Sequence, residues 1–544
     1  MPVNDPVTSA ADDTGPIDAI QEASARDAAA AAVPAPGRSP VPGRPPVPGR
    51  LSRLREIARN HRPFGIVLVA AALLRLVVML GYPPAMFFND SYTYMTDAVT
   101  KYPDMVRSNG YPFFLYLLLP FHNLNVVTGL QALMGLVMGA AIYAVLRRRG
   151  LPWWGATIPA LPVLFDVFEV QLEHMVASDV LFYTLMTLVL VALCWWDRPP
   201  LWIAVLAGLA TGYAALVRTV GEPLLILILL GMLARRMGWQ RIVATAVAGL
   251  VPIVAYMAWF HSFTGQYALN ESNGTFLYSR VQTFADCNRM HPSAQLAVLC
   301  DPHSVQHRQN PEEYPWSNDN PLAKVFGDNN VYRFTPKAES LTMKFAELAI
   351  ESQPLDYIKA VTKDTLQTFE WTRQGTNDVS SGSLGNVEGS GSKFRFEPSA
   401  NIATVPNFVT SATNAQAAKD FGTVITGKPT SANQPWSIML RAYQKVFYLR
   451  GPFLFLFVLA GAIGVWLGIR RKSRVPGTGW GGLGLMSWLV GVALIVLPPM
   501  TAGFSYRYVL AAVPAVCLAA GLAFAGRGSL IKWLRSEGLI PFLK

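Results

Sequence analysis

The chain has 544 residues, of which 52% are apolar and only 15% charged, and its 45 Lys and Arg against 34 Asp and Glu give a net charge of +11. A soluble domain carries about 25% charged residues, so this balance excludes an ordinary soluble protein and puts most of the chain in lipid. The basic excess does not point to nucleic acid, because the arginines gather in short clusters between apolar segments, as cytoplasmic loops do under the positive-inside rule.

Residues 1–62 are rich in Ala, Pro and Gly and repeat Val-Pro-Gly-Arg at Val41 to Arg44 and Val47 to Arg50. Nothing there can bury a core, so the sequence predicts a disordered cytoplasmic tail. Ten apolar segments then follow that are long enough, or nearly so, to span as helices: 64–82, 125–146, 153–168, 178–196, 201–220, 222–237, 241–260, 451–469, 483–500 and 507–526. Counting from a cytoplasmic N-terminus, Arg147-Arg148-Arg149, Arg235-Arg236, Arg470-Arg471-Lys472 and the end Lys532 to Arg535 all fall inside. The predicted fold is an all-α polytopic membrane protein. Its N-terminal transmembrane module is 63–261 with a first outer loop 83–124, its extracytoplasmic region 262–448 is mixed and partly helical, and 449–544 holds the C-terminal transmembrane helices.

In the first outer loop, the apolar stretch Tyr111 to Phe121 is too short to span and predicts an amphipathic helix on the membrane surface. In the second outer region, Leu341, Phe345 and Leu348, then Leu355, Ile358, Leu366 and Phe369, keep helical spacing, and Pro354 separates these two helices from the first turn of the second. The Gly/Ser run 380–392 reads as a mobile loop, and Asn273-Gly274-Thr275 matches a glycosylation sequon. Cys194 and Cys517 fall in apolar segments and read as inert packing groups. Cys287 and Cys300 lie close together in a polar region, where a disulfide is expected in an oxidising compartment.

The chemistry-bearing residues cluster at the outer helix ends. Asp90 follows Phe87-Phe88-Asn89 and precedes Tyr92 and Tyr94, so a carboxylate sits among aromatics where a membrane helix meets water. A helix-capping role is the alternative for it. Glu169, Glu173, His174 and Asp179 follow at the next outer junction, and the expectation is that they join Asp90 around one charged cavity. His174 with nearby acids is a candidate divalent-cation ligand, although the spacing fits no specific metal motif. Arg218 and Arg507 lie at outer ends, where the positive-inside rule does not want them, and suit two-pronged phosphate binding or a salt bridge to these acids. Arg75, inside the first segment, is expected to snorkel or to pair within the bundle.

Taken in order, Leu73-Leu74-Arg75-Leu76, Asn89-Asp90-Ser91-Tyr92 with Tyr94, Asn109-Gly110-Tyr111-Pro112, Leu172-Glu173-His174 before Ser178-Asp179, Val217-Arg218 and Tyr506-Arg507-Tyr508 resemble the polytopic GT-C type glycosyltransferases. That group includes protein O-mannosyltransferases, lipid A aminoarabinose transferases and actinobacterial arabinosyl- and mannosyltransferases. The resemblance covers roughly 64–525 and implies a GT-C-like fold with Asp90 as catalytic base. It also implies a sugar donor on a polyprenyl phosphate whose phosphate meets Arg218 and Arg507. Asn89, Tyr94, Glu173 and His174 are the further candidate substrate contacts. This chain has Asp90-Ser91 where many relatives show Asp-Glu, so no second carboxylate carries over there. The expected activity is inverting transfer of a sugar to a hydroxyl of a glycan, lipid or protein at the outer face of a bacterial plasma membrane. Trp371 and Arg373 are candidate sugar contacts on the acceptor side. No nucleic acid is expected as a partner and no cofactor is certain, a divalent cation being left open. The competing readings are a transporter or lipid flippase and a non-catalytic cell-envelope assembly protein.

Overall fold

A computed structural model describes residues 50–371, 396, 412–423, 432–470 and 482–525. The tail up to residue 49, Arg373, the run 380–392, Arg471, Lys472 and the end Lys532 to Arg535 lie outside those residues. The chain divides between Arg59 and Asn60, and the fold below is that of Asn60 onward.

Among the described residues the secondary structure is helical, apart from one parallel bridge between Met86 and Met175. The main helices run α1 (Arg50–Gly81), α2 (Asn89–Thr100), α3 (Gly110–Leu118), α4 (Leu124–Arg148), a bent pair α5 (Trp153–Phe165) and α6 (Val167–Glu173), α7 (Asp179–Trp195), α8 (Leu201–Val217), α9 (Gly221–Ala234) and α10 (Trp239–Thr264). An insertion contributes α11 (Asn273–Val281), α12 (Pro336–Ser352), α13 (Pro354–Gln367) and α14 (Trp436–Tyr443), followed by α15 (Gly451–Arg470), α16 (Leu485–Thr501) and α17 (Tyr506–Phe524).

Five of these helices are long and apolar enough to cross a membrane: α1 over His61–Gly81, α4, α10, α15 and α17. The bent pair makes a sixth if it counts as one span. The other apolar segments, α7, α8, α9 and α16, are helices of 17, 17, 14 and 17 residues. The segment expected as one span over 153–168 is instead bent by 55° at Asp166. There the backbone is extended, and the carboxylate accepts from Phe168 N–H at 2.8 Å and from Leu449 N–H at 2.8 Å. One side chain thus caps α6 and holds the chain entering α15. The segment expected over 201–220 ends at Val217, because Arg218 turns extended at the helix end.

Small residues set the tightest packing. At Gly208 and Gly212 of α8 an added Cβ would lie 2.3 Å from Thr245 O and 2.1 Å from Gly249 O, so only glycine lets the α8 and α10 backbones meet. Helix α17 is the central post, buried along almost its whole length from Tyr506.

The two ends of the bundle are finished differently. At one end Arg148, Arg149 and Arg235 donate to Trp195 O, Cys194 O and Leu193 O, satisfying carbonyls that the C-terminus of α7 leaves unpaired. The other end carries the insertion, whose core gathers Tyr278, Leu299, Tyr314, Leu322 and Phe345 and is closed by the Cys287–Cys300 disulfide. Cys194 and Cys517 are free and buried, as expected. Pro354 opens α13 as the sequence predicts. The stretch Tyr111 to Phe121 forms α3 and a short extension; Tyr111, Pro112, Phe114 and Leu115 are buried, whereas Leu117 and Phe121 are exposed.

Candidate active site

Asp90 is in the first turn of α2, where a carboxylate complements the helix dipole. The turn is held by Ser91, whose Oγ accepts from Phe88 N–H at 2.8 Å and donates to Val176 O at 2.7 Å. The Ser91 side chain thus serves as a tether for the turn that carries Asp90.

The neighbouring loop brings a residue the sequence reading missed. Asp104 Oδ1 accepts from the backbone N–H groups of Val106 and Arg107 at 2.6 and 2.7 Å, a tight turn that presents the Arg107 side chain. Asn109 locks the loop by donating to Tyr102 O at 3.0 Å and accepting from Asp104 N–H at 3.2 Å. At Gly110 an added Cβ would be 2.3 Å from the Leu216 backbone, so glycine is required for the loop to reach the end of α8. The available signal was the sequence Asp104-Met105-Val106-Arg107 just before Asn109-Gly110.

These elements assemble a ladder of alternating charge. Arg107 Nη2 donates to Asp90 Oδ1 at 2.6 Å. Arg507, at the start of α17, donates from Nη1 to Asp90 Oδ2 at 3.2 Å and from Nε to Asp179 Oδ2 at 2.7 Å. Arg218, at the end of α8, donates to Asp179 Oδ1. Each guanidinium also faces an aromatic ring: Arg107 lies 5.7 Å from Trp316, Arg507 4.8 Å from Phe88 and Arg218 5.2 Å from Tyr508. The ladder's direct contacts join three cations and two anions, and Asp104 adds a further negative charge beside Arg107. Burial works to raise the Asp90 carboxyl, but Arg107 and Arg507 outweigh it and hold the group below its ordinary range.

The ladder forms one wall of a cavity of about 930 Å³. Phe182, Val217, Leu494 and Ala511 of α7, α8, α16 and α17 make an apolar wing, while the insertion supplies Asn270, Gln309, Glu312, Glu313, Trp316 and Asn318. The insertion is tied to the Arg107 loop by Glu271 N–H to Met105 O at 2.7 Å and Ser272 Oγ to Val106 O at 2.9 Å. Buried Arg333 donates to Pro315 O at 2.8 Å and Ser317 O at 2.7 Å, fixing the turn that carries Trp316.

The expected residues fall into two groups. Asp90, Asp179, Arg218 and Arg507 meet in the ladder, and Tyr94 lines the same cavity with its hydroxyl 3.1 Å from Ser178 Oγ. The side chain of Asn89 lies outside the described residues. Glu173 and His174 point elsewhere. Glu173 Oε1 accepts from Arg75 Nη2 at 2.6 Å inside the bundle, and His174 Nε2 lies 2.7 Å from Tyr82 O. Glu169 is likewise buried in α6. Trp371 is exposed beside Arg450, 4.7 Å from its guanidinium, and does not line the cavity. Among the described residues no three His, Cys, Asp or Glu side chains gather as a metal site.

No family model, curated protein or solved structure matches the chain.

Proposed function

We propose that this chain is an inverting GT-C type glycosyltransferase that moves a sugar from a polyprenyl phosphate to a hydroxyl acceptor at the outer face of a bacterial plasma membrane. The observation that carries the reading is the ladder: a carboxylate between the buried guanidinium of Arg507 and the half-buried one of Arg107, at the junction of an apolar wing and a polar, aromatic wall. The wing suits an isoprenoid chain, the arginines a phosphate, and the polar wall a hydroxyl-bearing acceptor. In this reading α7, α8, α9, α16 and the bent pair are spans beside the five longer helices, giving ten. The Cys287–Cys300 disulfide supports an oxidising compartment for the insertion.

Chemically, both Asp90 oxygens accept from guanidinium N–H groups. A donor phosphate competes for Arg107 and Arg507, and as it neutralises them the proton affinity of Asp90 rises toward what burial dictates. The acceptor oxygen then attacks the anomeric carbon from the face opposite the phosphate. The carbon–oxygen bond to phosphate breaks with its electron pair, and the acceptor proton passes to Asp90. Arginine holds the charge that develops on the departing phosphate. The products are a glycoside of inverted configuration and free polyprenyl phosphate, and Asp90 returns its proton to water.

The test compares wild type with Asp90→Asn in nanodiscs, using a panel of polyprenyl-phosphate sugars and following lipid phosphate release together with donor binding. Turnover by wild type, with binding kept and turnover lost in the variant, is the expected result. Equal turnover by both proteins removes Asp90 as the base. Failure of every donor to bind overturns the donor class.

A further inference from the structure

Helix α13 is apolar on two sides. Its inner face carries Tyr357 and Ala360, which pack on the insertion core, and Asp364, which accepts from the buried Arg280 at 2.8 Å. Its outer face, one helical stripe from Leu355 through Ile358 to Leu366, is 69, 57 and 60% exposed, with Lys359 and Lys363 along the same side. The inner face accounts for the folding of the insertion, so the exposed leucines and isoleucine need a separate explanation.

The ends of α13 fix where that stripe lies. Tyr357 Oη donates to Met500 O at 3.0 Å, at the last turn of α16. Just beyond its C-terminus, Glu370 O accepts from Gly451 N–H at 3.1 Å, at the first residue of the membrane-type helix α15. An added Cβ at Gly451 would lie 2.2 Å from the Phe369 backbone, so the two chains touch there. Trp371 completes the junction, 6.3 Å from Phe453 of α15. The exposed stripe therefore continues into the exposed Phe453 and Phe455 of a candidate span, at the level where that span ends.

Helix α14 repeats the arrangement elsewhere on the bundle. Asn433 N–H donates to Gly81 O at 2.8 Å at the end of α1, and Tyr443 Oη donates to Phe165 O at 2.6 Å at the bend between α5 and α6. Between these anchors it buries Ser437 and Leu440 while Ile438 and Met439 stay exposed.

We propose that α13 and α14 are interfacial helices whose exposed apolar faces are seated in the headgroup boundary of the bilayer, so that lipid is their occupant. A stripe of leucine and isoleucine flanked by lysine, with tryptophan at its end, is the composition that partitions there. Continuity with the lipid-facing surface of α15 favours lipid over a protein partner. This inference rests on the membrane-spanning helices alone and is independent of the proposed catalysis.

The test places an environment-sensitive fluorophore on Leu366→Cys or Met439→Cys in the full-length protein, with Val298→Cys, an exposed site on the insertion, as the aqueous control. Each labelled protein goes into nanodiscs holding a single copy, made of phosphatidylcholine with or without phosphatidylglycerol. Loss of emission at 366 and 439 to a quencher near the top of the lipid acyl chain, with shielding from iodide, and the reverse at 298, is expected. Iodide quenching at 366 and 439 equal to that at 298 overturns the proposal. Shielding seen only in concentrated detergent solution, and not in single-copy discs, assigns the face to a second copy and overturns it as well. If either variant fails to elute as wild type, Ile358→Cys and Ile438→Cys repeat the measurement on the same faces.

Discussion

Arg507 Nη1 lies 3.2 Å from Asp90 Oδ2, a contact that joins the last described helix to the first loop across 417 positions of sequence. The same guanidinium reaches Asp179, so one side chain keeps two buried carboxylates from repelling each other. Removing one partner of a buried ion pair costs about 3–5 kcal/mol, because the other charge is left uncompensated. Arg507→Gln should therefore destabilise strongly, and Asp179→Asn in the same chain should restore part of the loss. A double-mutant cycle by thermal unfolding in nanodiscs reads this directly. Simple additivity of the two substitutions would mean that the pair is not coupled.

Arg107 should set the acid side of the activity profile. It is the largest influence opposing burial at Asp90, so Arg107→Gln lets the Asp90 carboxyl rise. A base with a raised pKa loses its proton-free form at higher pH. The acidic limb of kcat/KM should thus shift upward in Arg107→Gln and stay unchanged in Trp316→Phe. An unshifted limb would separate Arg107 from the titrating group.

Asp97 gives a stability signature of the opposite kind. Burial, reinforced by Asp104 and opposed by Arg107, pushes its carboxyl up to about 8. The folded protein therefore holds this proton across the window from about pH 4, where an ordinary carboxyl titrates, up to about 8, while the unfolded chain releases it. Stability from this group is full at the acid end and declines as pH rises through the window. Asp97→Asn should remove that decline and raise the unfolding temperature at pH 8 relative to wild type, with little change at pH 4. Parallel curves for the two proteins over the whole range would rule it out.

The Cys287–Cys300 link closes a short loop of the insertion, with a sequence separation of 13. Loop-closure arguments put such a bond at about 3 kcal/mol. Cys287→Ser should lower the resistance of the insertion to proteolysis and leave the membrane-type helices unaffected. Limited proteolysis with and without reductant compares the two, and identical patterns would show that the insertion holds without the bond.

What could be read in the sequence was what each residue decides locally. Each of the ten apolar runs is helical over most of its length because helix formation there follows composition within the run, and Pro354 opens α13 because the first turn tolerates its missing N–H. The bend at Asp166 escaped notice because the residue that stabilises it, Leu449, lies 283 positions away. Arg107 was missed for a similar reason: it sits in a loop with no periodicity, and its role follows from Asp90 and Trp316 meeting it in space. Among the charged residues, helix-end position alone did not separate Asp179, which joins the ladder, from Glu173, which is committed elsewhere.

That commitment yields the last prediction. Glu173 and Arg75 are 3% exposed or less at their side chains, and Arg75 also donates to Ala71 O at 3.1 Å and Leu164 O at 2.9 Å. Packing around the pair is tight: an added Cβ at Gly135 would fall 1.9 Å from Glu173 Oε1. Glu173→Ala would strand a buried guanidinium, with a loss of about 3–5 kcal/mol. Glu173→Gln keeps a carbonyl acceptor for Arg75 and should cost less. Neither change reaches the ladder, so donor binding by the folded fraction should match wild type. Thermal unfolding of the two variants, paired with donor binding, tests both halves. Weakened binding in a fully folded Glu173→Gln protein would return this residue to the substrate site and show that the pair with Arg75 opens during function.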